Sequence, residues 1–186
     1  MMKREPRKPI FAVILILASL CLIAGALHSM QRNEFLTPQE IAKIQDAQEI
    51  DQRVKVYLEA AALRLKTVAD RLAGKESAAG DPLEFFSVED MLDGYYRILH
   101  SVMLNLEDAA ANPKTEPKKF QSAMKNLKAA TESAVKQLEM IRKVAEEQRK
   151  EAPWKLAGEA IKITNGAHEG AVAALTRKTN QEAIRD

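Results

Sequence analysis

The sequence predicts an all-α protein: an antiparallel up-and-down bundle of four helices behind an N-terminal signal or anchor helix. Three observations lead there. Apolar residues recur at three- and four-residue spacing over long stretches. No segment sustains an alternation of period two. Aromatic residues make up only 5% of the chain, while the good helix formers Ala, Leu, Lys and Glu are abundant.

The chain opens with a basic stretch, Lys3, Arg4, Arg7 and Lys8, then 18 uncharged residues from Ile10 to Leu27. That is the pattern of an export signal. Basic residues stay on the cytoplasmic side, so the rest of the chain is expected outside the cytoplasm. It would lie in the periplasm or the medium, or project outward from the inner membrane. Ala24 and Ala26 place small residues at the two positions a signal peptidase reads, which favours cleavage after Ala26. The apolar run also matches the roughly 17 to 25 residues that span a bilayer, so an anchor through residues 10–27 is the alternative. Cys21 follows Leu20 rather than a small residue, so it reads as part of the apolar run and not as a lipid acceptor. The expected organisation is a signal or anchor at 1–29, a helical bundle domain at 30–176 and a polar tail at 177–186.

Residues 1–26 hold four basic side chains and one acidic, Glu5. Removing them leaves 24 basic against 25 acidic, a nearly neutral domain. Such a balance argues against nucleic acid as a partner.

The elements follow in order. Thr37 can cap a helix, with Glu40 bonding back to it and Pro38 at the first helical position. This helix is expected near 38–49. Asp51 is the expected cap of a longer one near 52–73, with Val54, Leu58, Ala61, Leu65, Val68 and Leu72 on its apolar face. Gly74 stops it. Residues 74–86 form a loop whose apolar anchors are Phe85 and Phe86. Ser87 caps the next helix, which ends at Asn112-Pro113. Pro117 opens a helix with a heptad seam: Phe120, Met124, Leu127, Thr131, Ala134, Leu138, Ile141 and Ala145. Glu132–Lys136, Glu139–Lys143 and Glu146–Lys150 are spaced to pair on its outer surface. Pro153 is expected to break or kink it, with Trp154 filling the junction. The last helix is the weakest, because Gly158, Gly166 and Gly170 each cost about 1 kcal/mol against Ala. An interruption is expected at Asn165-Gly166 and fraying from Arg177. Short loops imply antiparallel neighbours.

Motifs for chemistry are missing from the sequence. A di-iron bundle needs Glu-x-x-His pairs, but Arg97 and Asn165 stand three before His100 and His168. There is no His-Glu-x-x-His, no pair of cysteines, no Gly-x-Ser-x-Gly elbow and no Gly-rich phosphate loop. No cofactor or metal is expected, and an enzyme is not. Glu89, Asp90 and Asp93 complement the dipole at a helix start. Tyr57, Tyr95 and Tyr96 are the candidate lining of a ligand pocket. Tyr95-Tyr96 also reads as one ring in the core and one at its edge. Lys114, Lys118, Lys119, Lys125 and Lys128 are the candidate patch for an anionic partner, against the plainer reading of a solvated lysine face.

The segment DAQEIDQRVKVYLEAAALRLK, residues 46–66, resembles a pattern found early in some uncharacterised exported bacterial helical proteins. The resemblance implies export and a helical fold, and transfers no activity. The expected function is protein–protein interaction or self-association, motivated by the heptad seam. The alternative is a small-molecule-binding bundle outside the cytoplasm.

Overall fold

A computed structural model describes residues 35–183, with side chains through Arg177. The expectations for the export segment, Ala24, Ala26 and Cys21 included, lie outside the described residues, as does His28. The described residues form five helices and no strand: α1 (Pro38–Asp46), α2 (Ile50–Leu72), α3 (Val88–Ala111), α4 (Pro117–Glu147) and α5 (Glu151–Ala183). Among them no helix is long and apolar enough to cross a membrane.

Local chemistry sets most boundaries. The Glu40 N–H donates to Thr37 Oγ1 at 3.2 Å, and the Thr37 N–H donates to Glu40 Oε2 at 2.7 Å. This reciprocal cap starts α1. Ser87 and Asp90 make the same cap on α3. Asp51 is not a cap. Glu49 occupies that position on α2, without a side-chain bond, and Asp51 lies inside the first turn. α2 ends with Gly74 at φ +80°, where the Lys75 N–H donates to the Asp70 carbonyl and the Gly74 N–H to that of Arg71. Those are the two bonds of a Schellman motif. α4 ends in the same way, but with Arg149 in the left-handed position at φ 55°. The turn therefore precedes Pro153, which falls in the first turn of α5.

Helices α2 and α3 pack together, as do α4 and α5. The two pairs meet through α2 on α4 and α3 on α5, while α3 and α4 barely touch. Sequence neighbours α3 and α4 thus lie diagonally, which differs from a simple succession of antiparallel neighbours. Lys119 Nζ lies 4.0 Å from Asp51 Oδ2 near the starts of α4 and α2, and Gln148 just past α4 donates to the Leu72 carbonyl at the end of α2. Those two helices run side by side in the same direction.

The core is built from the predicted faces. The seam of α4 is inside it, with Leu127, Thr131, Leu138 and Ile141 buried. A buried seam no longer argues for self-association. On its outer surface Lys143 reaches Glu147, at 4.0 Å, rather than Glu139. α5 is unbroken through Asn165-Gly166 and continues past Arg177. It buries Ala157, Ala160, Thr164, Ala167 and Ala171, spaced 3-4-3-4. That stripe of small side chains lets α5 pack closely against its neighbours, and tertiary packing outweighs the glycines.

One charge sits in this interior. Arg64 has no exposed surface. It donates to Glu40 Oε1 at 2.8 Å, Glu40 Oε2 at 2.9 Å, the Ala60 carbonyl at 2.9 Å and the Phe35 carbonyl at 2.5 Å. Gly94 of α3 makes room for it, since a Cβ there would stand 3.1 Å from Arg64 Nε. Burial alone would push the Glu40 carboxyl up. Hydrogen bonds from Arg64 and the Thr37 N–H, with the Arg64 charge, outweigh burial and hold it below its ordinary value.

Two outcomes follow from this packing. Gly166 and Gly170 have open space where a Cβ would go. Gly166→Ala and Gly170→Ala should each raise stability by about 1 kcal/mol in urea unfolding, with the slope unchanged. The second concerns Glu40. Its folded pKa lies below the unfolded one, so its contribution is present above about pH 4.5 and is lost as pH falls through the folded value. Glu40→Gln should lower stability by about 3 kcal/mol at pH 7. The gap to wild type should narrow steadily toward pH 3; a gap independent of pH would contradict the ionised pair.

Candidate functional site

A cavity of about 140 Å³ lies between α2, α3 and α4. Its walls are Leu58, Ala61 and Leu65 from α2, Tyr95 and Leu99 from α3, and Thr131 and Ala134 from α4. The space exists because alanines stand where the parallel α2 and α4 face each other. A leucine at Ala61 or Ala134 would fill much of it. Ala62, Ala130, Ser133 and Gln137 also line it. Ala62 and Ser133 are exposed and Ala130 and Gln137 half-buried, so these four form the mouth. Gln137 Nε2 donates to Ser133 Oγ across 3.3 Å.

The polar atoms of the walls are already engaged. Thr164 Oγ1 donates to the Ala160 carbonyl at 2.6 Å, so the hydrogen between it and Tyr95 Oη, 2.8 Å away, comes from the tyrosine. Burial raises the Tyr95 hydroxyl to about 12, against the smaller opposing effect of that bond. Thr131 Oγ1 donates to the Leu127 carbonyl at 2.8 Å, which makes His168 Nδ1, 3.1 Å away, the donor to Thr131.

The structure brings one of the three predicted tyrosines to this cavity. Tyr95 is 2% exposed and lines it; Tyr96 is 41% exposed and points elsewhere, and Tyr57 is half-buried outside the lining. Successive helical residues diverge by about 100°, so Tyr95 and Tyr96 cannot share a face. The lysines do not form one open patch either. Lys114, Lys118, Lys125 and Lys128 are exposed, but Lys119 is half-buried and turned toward Asp51. His100 is exposed. Among the described residues no group of three or more His, Cys, Asp or Glu side chains could hold a metal ion.

A second feature was not foreseen. Arg71 reaches from the end of α2 into the loop and donates to Ser77 Oγ, to the Leu83 and Glu84 carbonyls and to the Phe86 carbonyl. Leu83, with no exposed surface, is the loop's apolar anchor rather than Phe85. Phe85 is 92% exposed. Nearby, Asp70 accepts from Lys66 at 2.7 Å and from Lys75 at 2.8 Å, and those two bonds lower its carboxyl to about 2. Trp154 does not fill the junction after α4. It is 37% exposed, with the Arg142 guanidinium 4.8 Å from its ring centre.

The resemblance along residues 46–66 gains no support from other proteins. No protein-family model matches the chain, and no curated protein or solved structure is significantly similar to it.

Proposed function

We propose that this protein is a non-enzymatic helical bundle, four-helical in its main body and placed outside the cytoplasm, that acts by binding another protein or a second copy of itself. Residues 1–29 deliver it there, either as a signal cut after Ala26 or as an anchor through residues 10–27. The observation that supports the binding role is Phe85. A phenylalanine 92% exposed on a loop tied down by Arg71 is a presented side chain rather than a loose one. Ordering it on binding adds little entropic cost, because Arg71 holds the backbone on either side of it.

The surroundings of Phe85 say what it would meet. Between Lys75 and Arg97 the chain carries Glu76, Asp81, Glu84, Glu89, Asp90 and Asp93, and no basic side chain. A partner suited to this surface offers an apolar pocket bordered by lysine or arginine.

A photo-crosslinking residue at position 85 tests this in the native cell envelope. The expected product is a discrete adduct, either heteromeric or a dimer of this chain, whose yield falls as salt rises. With the partner in hand, Phe85→Ala should weaken binding tenfold or more and leave stability within about 0.5 kcal/mol of wild type. Absence of any discrete adduct, or binding indifferent to Phe85→Ala, would count against the proposal.

A further inference from the structure

We propose that the cavity between α2, α3 and α4 binds a small uncharged molecule with an aromatic or branched apolar body and a single hydroxyl or amide group. This site is separate from the Phe85 surface and does not depend on it.

Size sets the first limit. An apolar cavity of about 150 Å³ accepts a benzene ring. The 140 Å³ here therefore suits a body of about six to eight non-hydrogen atoms. Chemistry sets the second. Leu58, Leu65 and Leu99 make the deep walls apolar. The Tyr95 hydroxyl is bound to Thr164, and the Thr131 hydroxyl to the Leu127 carbonyl. No Asp, Glu, Lys or Arg lines the space. A charged or strongly polar group carried inward would lose its water and find no replacement. The mouth differs. There the Gln137 amide and the Ser133 hydroxyl hold each other by a bond of 3.3 Å, longer than the usual range for an amide donor. Both can turn to a ligand's hydroxyl or amide, while exposed Ala62 leaves the approach open. A molecule that is apolar at one end and hydrogen-bonding at the other thus fits with its apolar end inward.

Toluene, p-cresol and benzylammonium are probes of similar size and different polarity. Each would be titrated into the full chain while methyl resonances of Leu58, Leu65 and Leu99 are followed by NMR. p-Cresol should shift these methyls and bind at least threefold more tightly than toluene, and benzylammonium, charged at neutral pH, should leave them unmoved. Ala134→Leu, which fills the cavity, should weaken p-cresol binding at least tenfold; if it fails to fold, Ala130→Leu at the mouth serves the same purpose. Gln137→Leu should abolish the preference for p-cresol over toluene. Phe85→Ala should change none of these values, which keeps this test distinct from that of the loop. The proposal is overturned if no probe moves the methyls, if filling the cavity leaves the shifts intact, or if all three probes bind alike.

Discussion

A guanidinium with no surface in water is the constraint around which the rest of this molecule is arranged. Arg64 would be ruinous where it stands without Glu40, because an isolated ion in a low-dielectric interior carries a desolvation penalty of several kcal/mol. The carboxylate has to come from α1, so α1 is held on α2, the one described helix it packs against. Glu40 in turn needs the Thr37 N–H, so the cap that starts α1 and the bond that docks it are one network. On the far side α3 needs a glycine, because Arg64 lies where a Cβ of Gly94 would press on it. Two segments distant in sequence, α1 and α3, thereby answer to one side chain. A well-packed hydrophobic group could match the pair in stability. What the pair adds here is a defined seat for α1.

Much of the fold is legible in the sequence alone. Thr37 with Glu40, Ser87, and Pro117 each mark a helix start through groups within three residues, which is local chemistry written locally. The seam of α4 is likewise visible because a heptad pattern needs only one helix to declare itself. Arg64 was not legible. It flanks an apolar stripe, as solvated arginines also do, and its partner stands 24 positions away. The signal that existed was indirect: Ala60, Arg64 and Val68 share one line of the helix, and both neighbours on it are apolar. Asp51 reads as a cap because Asp is favoured at that position in general, but Glu49 takes it, and Arg53 of the first turn binds back to the Ala47 carbonyl with two bonds.

Small residues account for the rest of what the sequence concealed. Alanine reports little about its own surroundings, since it is tolerated in cores and on surfaces alike. On α5 the alanines form a close-packed stripe that carries the helix straight through three glycines. Between α2 and α4 the same residue leaves a gap, because no larger side chain reaches in to fill it. One residue type thus gives a buried stripe in one place and a gap in another. Which result occurs depends on how near the facing helix comes, a quantity that no single helix encodes. Tyr95 belongs to both: its ring borders the gap while its hydroxyl is pinned to the α5 stripe at Thr164.

The diagonal placement of α3 and α4 divides the body into two hairpins, α2 with α3 and α4 with α5, each continuous in sequence. Contacts within a hairpin are aligned by its own turn. Nothing so local aligns one hairpin with the other, and helices faced with leucine and alanine could slide past each other by a turn, about 5.4 Å, and still bury oil against oil. Polar contacts cross that boundary among the described residues: Asp51 with Lys119 near one end, Tyr95 with Thr164 partway along, and Leu72 with Gln148 at the other end. A slip would part these contacts at once and strand a buried phenol. Weak as each contact is, together they act as a vernier, reading the phase of one hairpin against the other where the hydrophobic surface alone is blind to it.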